Sequence, residues 1–213
     1  MIGDLLFWFQ IIMAWCFSIP QIHRSFTTTT GMTITWSMLC SIFVTINFFL
    51  ALSAYWDSGS RKAMQVTLVY ANWLLLWATM FVIISLKGYW TKSDTLVTLL
   101  VIASLTVLMI VRSKGSVMET FVEPINRGLM SIIVKSTPQL YIAYCIFKAG
   151  RNDGLAGMSL VIGHITVIVR AIEIAVTAKQ DGWTKKNIGL FISETGNELT
   201  WMVTTWSWLY FNH

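Results

Sequence analysis

The sequence predicts an all-α polytopic membrane protein in which seven transmembrane helices form a 3+1+3 parallel-repeat arrangement. Three observations predict this fold: an apolar composition, a series of apolar segments of membrane length, and an internal repeat. Of the 213 residues, 55% are hydrophobic and only 12% are charged, whereas soluble domains carry charge on about a quarter of their residues. Too few charged side chains remain to cover a water-facing surface, so lipid is expected to cover much of it.

Seven segments of the chain are apolar enough to cross a membrane, which takes about 20 largely apolar residues in a helix. They are residues 2–23, 32–55, 63–87, 95–112, 126–148, 157–178 and 188–211. The chain starts without the basic residues and cleavage site of a signal peptide, so the first segment is interpreted as a retained helix. Because the polar stretches between segments are short, residues 1–213 are expected to form a single membrane domain.

An internal repeat relates the first three segments to the last three, because matching positions occur in the same order in both. The matches are Ser18-Ile-Pro20-Gln21 with Ser136-Thr-Pro138-Gln139, Gly31-Met32-Thr33 with Gly157-Met158-Ser159, and Asn72 with Asn197. The segment 95–112 has no counterpart. As a linker helix it would return the second triplet in the orientation of the first, which makes the repeat a parallel one. Residues 1–87 are therefore expected to form the first repeat and residues 126–211 the second.

The two Pro-Gln dipeptides lie near the end of the first helix of each triplet. With the linker helix between the triplets, they resemble the PQ-loop family, which includes the SWEET and SemiSWEET sugar transporters, cystinosin and the lysosomal cationic amino-acid exporters. The resemblance covers essentially the whole chain, and it implies a SWEET-like fold and transport by alternating access. It also implies that Asn72 and Asn197 contact the substrate, since a pair of Asn at corresponding places binds the sugar in SWEET transporters.

The repeated prolines predict a kink in the first helix of each triplet. Pro20 and Pro138 each remove one helical hydrogen bond, and Ser18 and Ser136 are close enough in sequence to satisfy the freed carbonyl groups. We expect each kink to act as a hinge, although a static kink that only shapes packing is the alternative.

The glutamines of the two dipeptides, Gln21 and Gln139, lie nearer one membrane face than the middle of their helices. They are assigned to a gate or to structural hydrogen bonds rather than to the central site.

Five ionisable residues fall inside the predicted membrane segments, and all belong to the second triplet: Lys135, Arg170, Glu173, Glu194 and Glu198. Placing each of them at the centre of a membrane helix costs at least about 2.5–3.5 kcal/mol of free energy, unless the side chain pairs with an opposite charge or contacts water. The spacing predicts pairs between Arg170 and Glu173 and between Lys135 and Glu198. One carboxylate, that of Glu194 or Glu198, would take up a proton or a cationic group of the substrate during transport. A purely structural ion-pair network is the alternative.

Helical spacing also predicts the polar faces that would surround a substrate. Asn72 and Asn197 occupy the midpoints of the third and seventh segments, where an amide offers donors and an acceptor without charge. Asn47, Glu198 and Trp201 lie on the polar faces of their helices and complete the predicted substrate-binding set. Contacts between helices are the alternative role for the Asn pair. His164 lies one residue off such a face, so we expect it to be packed or hydrogen-bonded rather than a proton relay.

The function that these features favour is a membrane transporter for a small polar solute, such as an amino acid or another charged or zwitterionic metabolite, with proton coupling as one option. The alternatives are a SWEET-type sugar uniporter whose charges are structural, and a non-transporting membrane receptor, as the KDEL receptor is with a related helix arrangement.

No enzyme motif, metal-ligand set, cofactor fingerprint or nucleic-acid-binding basic stripe occurs in the sequence. The expected partners are the solute, the lipid bilayer and protons, and whether copies of the chain associate is left open.

A bacterial cytoplasmic membrane is favoured over an organellar one. The orientation is also open, because the distribution of Lys and Arg in the loops is opposite to that implied by the resemblance.

Overall fold

The structure, a computed structural model, describes residues 2–28, 32–112 and 123–211, and all its regular elements are α-helices. They are α1 (Ile2–Thr27), α2 (Ile34–Ser58), α3 (Arg61–Lys87), α4 (Lys92–Arg112), α5 (Pro124–Ala149), α6 (Gly157–Asp181) and α7 (Lys185–Tyr210). The all-α prediction is therefore confirmed for the described ranges. Of the positions that define the repeat, Gly31 lies outside them.

Five of these helices are long and apolar enough to cross a membrane, which is the character of an integral membrane protein. They are Asp4–Thr27, Ile34–Ser58, Arg61–Lys87, Gly128–Ala149 and Gly157–Gln180. The sequence predicted seven such spans, and the helices outside this set are α4 and α7. In α7 the reason is the polar content of its middle turns, where Glu194, Asn197 and Glu198 interrupt the apolar sequence.

Large apolar side chains on the outside of the helices form the surface that lipid would cover. On α1 they follow a spacing of three or four residues, which puts them on one face of the helix. Those side chains are Leu5, Trp8, Ile12, Trp15 and Ile19, each at least 40% exposed. An apolar surface of this extent is typical of a membrane or protein interface.

Within each set of three helices, the last helix packs against both of the others. Helix α3 contacts α1 and α2, and α7 contacts α5 and α6. Between the two sets, α1 contacts α6 and α2 contacts α5, so the first helix of each set meets the second helix of the other. Helix α4 packs on α2.

Helices α5 and α7 approach each other closely because glycines face each other at the contact. A Cβ atom on Gly128 would lie 2.3 Å from the carbonyl oxygen of Gly189. One turn further on, Ser193 Oγ donates to Ser131 Oγ at 2.8 Å. These two contacts set the register in which the middle turns of α5 and α7 meet.

The most tightly packed part of the core lies at one end of the helices, where α1, α3, α5 and α7 end and α2 and α6 begin. We call it the loop end, because residues 150–156 cross it. Met80, Ile84, Ile142 and Ile146 are each at most 2% exposed here. They belong to one apolar cluster that draws on the first and last helix sets.

Helix α4 is attached to α2 through a buried carboxylate at the loop end. Thr35 Oγ1 donates to Asp94 Oδ1 at 2.5 Å, and the backbone N–H and hydroxyl of Thr91 donate to Asp94 Oδ2, both at 2.5 Å. Burial alone would raise the pKa of Asp94, but the donors from Thr35 and Thr91 outweigh it and hold the pKa below its usual value of 3.8. Asp94 therefore binds α4 to α2 as an ionised group.

Replacing Gly128 by Ala should destabilise the protein by about 1–3 kcal/mol, because the added methyl group meets backbone rather than a movable side chain. The apparent melting temperature of the purified protein in detergent measures the effect. Ile133→Ala on the exposed face of the same helix, where the side chain is 67% exposed, is the matched control. An unchanged melting temperature for Gly128→Ala would show that α5 and α7 do not approach as described.

Replacing Asp94 by Asn should loosen the start of α4, because an amide cannot accept from all of these donors. Hydrogen exchange of residues 92–99 should rise severalfold, whereas Thr106→Ala, which removes an exposed hydroxyl bonded to the backbone of its own helix, should leave it unchanged. Because the folded pKa is lowered, the carboxylate stabilises the attachment fully above its usual value of 3.8, and the stabilisation is lost as the pH falls through the folded pKa. Loss of the hydrogen-exchange protection of residues 92–99 near neutral pH would contradict this account.

Candidate functional site

Most of the residues predicted to form the site lie in the middle turns of their helices. We call this set the polar layer. It consists of Asn47 on α2, Asn72 on α3, Lys135 on α5, Arg170 and Glu173 on α6, and Glu194, Asn197 and Glu198 on α7. The structure brings some of these side chains into direct contact and leaves others apart.

The strongest contact between helices in this layer is an ion pair between α5 and α7. Lys135 Nζ lies 2.6 Å from Glu194 Oε1, and the two side chains are 14% and 12% exposed. The predicted pair of Lys135 with Glu198 is wrong. The register set by the close contact at Gly128 places Glu194 beside the lysine, whereas the Glu198 side chain turns toward α6.

The second ion pair lies within α6 and confirms the prediction from spacing. Arg170 Nη1 is 2.5 Å from Glu173 Oε2, and both side chains are partly exposed. Both charges of this pair therefore belong to one helix.

Glu198, the remaining carboxylate, contacts a histidine on α6. His164 Nδ1 lies 2.6 Å from Glu198 Oε1, and His164 Nε2 lies 2.8 Å from Thr205 Oγ1. The expectation that His164 is hydrogen-bonded is confirmed, but its position off the polar face of α6 gave no signal that its partner would be an acid. The other carboxylate oxygen, Glu198 Oε2, is buried and has no hydrogen-bond partner in the described part of the chain.

Asn197 is held by protein groups on two sides. Its Oδ1 lies 2.7 Å from the Gln139 amide, and its Nδ2 donates to Glu194 Oε2 at 3.4 Å. Gln139 also contacts the Thr200 hydroxyl. In the alternative orientation of its amide, Gln139 instead accepts from Trp201 Nε1 at 2.9 Å and donates to the Asn197 backbone carbonyl at 3.2 Å. Gln139 was assigned away from the central site, whereas the structure places it in direct contact with Asn197.

The two other asparagines of the layer differ in whether their amide nitrogens donate a hydrogen bond. Asn47 Nδ2 donates to the Phe43 carbonyl one turn earlier in α2, at 2.8 Å, so its own helix occupies this donor. Asn72 Nδ2 is buried and has no hydrogen-bond partner among the described residues. Asn72 thus keeps a donor that a bound solute could use.

A cluster of aromatic rings lies between α3 and α7 beside the two central amides. The Phe17 ring is 5.6 Å from that of Trp73, 6.3 Å from Trp77 and 5.8 Å from Trp201. We call these four residues the aromatic cluster. Trp73 follows Asn72 in sequence and Trp201 lies one turn beyond Asn197, so the cluster separates the polar layer from the loop end.

Two open cavities lie on the sides of the bundle. One, of about 200 Å³, lies between α6 and α7 and includes Glu194 and Glu198 in its lining. The other, of about 250 Å³, lies among α2, α3 and α4 and is lined mainly by apolar groups such as Ile42 and Phe81. Neither is lined by Asn72 or Asn197.

The two prolines that were predicted to kink their helices lie inside helices that continue past them. Helix α1 extends to Thr27 beyond Pro20, and α5 extends to Ala149 beyond Pro138. The hydroxyls expected to satisfy the freed carbonyl groups do not do so. Ser18 Oγ and Ser136 Oγ are both buried without a partner in the described ranges.

Gln21 connects the first helix to the last helix set at the loop end. The side chain is fully buried. Its Nε2 donates to the Gly154 carbonyl at 2.8 Å, and its Oε1 accepts from Ala156 N–H at 2.9 Å. Nearby, Ser159 Oγ donates to the Phe17 carbonyl at 2.6 Å and Arg24 donates to the Asp153 carbonyl. Over the described ranges, the hydrogen bonds between the first and last three helices lie at this end.

Comparison of the chain with protein-family models, with curated proteins and with solved structures found no match in any of the three.

Replacing Lys135 by Met should destabilise the protein by about 3–5 kcal/mol, because it leaves Glu194 buried without a cation. The double variant Lys135→Met with Glu194→Gln should recover most of this loss. Melting in detergent, analysed as a double-mutant cycle, measures the coupling. Arg61→Ala, which removes the exposed pair with Asp4, is the control and should change stability little. Additive single-variant effects would contradict the pair.

Proposed function

We propose that this chain is a membrane transporter that moves a small polar solute by alternating access, with an amino acid or another charged or zwitterionic metabolite as the solute. The observation that carries the proposal is the polar layer, in which ion pairs and unused polar groups lie in the middle of long, largely apolar helices. Ionisable groups at such positions are costly and mark solute or ion pathways by default.

The helix contacts support the proposed 3+1+3 arrangement of two repeats and a linker. The last helix of each set of three packs between the other two, and the contacts of α1 with α6 and of α2 with α5 are related by exchanging the two sets. Such an exchange is what a parallel repeat produces. The resemblance to PQ-loop proteins rests on the two Pro-Gln segments, and membership in that family is part of the proposal.

The distribution of contacts along the helices supports alternating access. At the loop end, the apolar core and the hydrogen bonds of Gln21 join the first and last helix sets. The aromatic cluster lies between this end and the polar layer. In this conformation, therefore, the solute would have to enter from the opposite end, and the contacts of Gln21 and Phe17 would have to break for release at the loop end.

The unused polar groups indicate where a solute would bind. Asn72 Nδ2 offers a donor for a hydroxyl or carboxylate, and Glu198 Oε2 offers an acceptor for an ammonium group. Asn197 can also contact the solute once its hydrogen bonds with Gln139 and Glu194 are broken. These groups fit a zwitterion, which has both an acceptor and a cationic donor.

A SWEET-type uniporter for a neutral solute is the second candidate, and the ion pairs favour it. Lys135 with Glu194 and Arg170 with Glu173 are satisfied within the protein, so these four charges need no partner from the solute. On this reading only the amides contact the solute. A bacterial cytoplasmic membrane remains the proposed location.

Reconstitution in liposomes tests the proposal, with uptake of radiolabelled amino acids, sugars and nucleosides as the measurement. For the transported solute, Asn72→Ala should lower uptake about fivefold, because a lost hydrogen bond costs about 1 kcal/mol and 1.4 kcal/mol is a factor of ten. The matched control is Asn47→Ala, whose amide is used by its own helix, and it should have less effect. Uptake of sugars alone would favour the uniporter. Solute binding without flux would contradict transport and indicate a receptor.

A further inference from the structure

The charges in the middle of α5, α6 and α7 leave one carboxylate without a permanent cation. Lys135 neutralises Glu194, and Arg170 neutralises Glu173. Glu198 has His164 as its partner, and an imidazole is a cation only while it holds a second proton. The charge of Glu198 is therefore neutralised only when the pair of His164 and Glu198 binds one additional proton.

The hydrogen bonds of His164 suit a ring that gains and loses a proton. Its Nδ1 faces Glu198 Oε1 at 2.6 Å and its Nε2 faces Thr205 Oγ1 at 2.8 Å. The neutral ring donates from Nδ1 to the carboxylate and accepts from the hydroxyl at Nε2, whereas the protonated ring donates from both nitrogens. Because a hydroxyl both donates and accepts, neither contact has to break when the proton binds at Nε2.

The Glu198 side of this pair lies at the cavity between α6 and α7. Glu198 lines the cavity of about 200 Å³ together with Glu194. The side chains of His164 and Glu198 are 23% and 28% exposed, and Glu198 Oε2 has no protein partner. The pair therefore lies outside the apolar core at the loop end and is partly exposed beside this cavity.

The other ionisable groups around the pair are engaged with one another. On α5 the group is Lys135, on α6 Arg170 and Glu173, and on α7 Glu194, which together form the two ion pairs described above. Helix α1, which packs on α6, contributes the thiol of Cys16 at the depth of this layer. Exchange of one proton at the pair thus changes the net charge of the layer between zero and minus one.

We propose that His164 and Glu198 form the proton-binding site of this chain and that this site couples solute movement to a proton gradient. On binding, hydronium transfers one proton to His164 Nε2 and leaves as water. On release, the proton returns to water and the layer keeps one unmatched carboxylate. The coupling rests on the proposed transport function, whereas the proton site itself does not.

Infrared spectroscopy of the full chain in lipid nanodiscs tests the site without any transport. His164→Gln removes the imidazole, and the unmatched Glu198 should then hold the proton itself, because an isolated carboxylate in an apolar medium is neutralised. The variant should show one additional protonated-carboxyl C=O band at neutral pH, and His164→Gln with Glu198→Gln should lack it. His23→Gln, at an exposed histidine, is the control and should resemble the unmodified chain. Absence of the band in His164→Gln would overturn the site.

Uptake into liposomes with and without an inward proton gradient tests the coupling. The ratio of the two rates should exceed one for the unmodified chain and for His23→Gln, and it should fall to about one for His164→Gln and for Glu198→Gln. A ratio that stays high in these two variants overturns the coupling and leaves transport intact. If no solute is taken up at all, the proposed function and the coupling fail, and the infrared result still decides the proton site.

Discussion

Charged side chains in the middle of long apolar helices must be neutralised, and this constraint determines how the last three helices fit together. The contact between Lys135 and Glu194 is the central case, because it joins two helices rather than neighbouring turns of one. An ammonium and a carboxylate that are both nearly buried are tolerated only with short, well-directed contacts. Helices α5 and α7 provide such a contact because glycines let their backbones approach and fix their register.

The two copies of the Pro-Gln segment show how one sequence feature serves different purposes in related positions. In the first copy, Gln21 is fully buried at the loop end and bonds to the backbone of residues 154 and 156 in the other helix set. In the second, Gln139 bonds within its own set, to Asn197 and Thr200. One glutamine thus joins the two sets, and the other shapes the environment of a central amide.

Much of the fold could be predicted from the sequence, because helix length and apolar content are local properties. The predicted segments agree in position with the observed helices, although α1 ends at Thr27 rather than at residue 23 and five of the seven described helices are apolar enough to cross a membrane. The pair of Arg170 and Glu173 was also predictable, since residues three apart on a helix are neighbours.

The contacts between helices were less predictable, because they depend on register and rotation. The partner of Lys135 depends on where two glycines meet, and the contact of Glu198 with His164 depends on how α7 is rotated toward α6. Asn47 shows a further limit of periodicity. The spacing placed it on a predicted polar face, but its amide donates to a carbonyl of its own helix.

The location of the ion pairs has a consequence for the energetics of any switch between conformations. Both pairs, and the contact of His164 with Glu198, lie within the last set of three helices. If the two sets move as units, no buried charge loses its counterion during the motion, and the electrostatic free energy is nearly the same in every state. The barrier would then arise from the few amide and hydroxyl bonds and the stacked rings between the sets. The binding free energy of a small molecule is large enough to break interactions of that size.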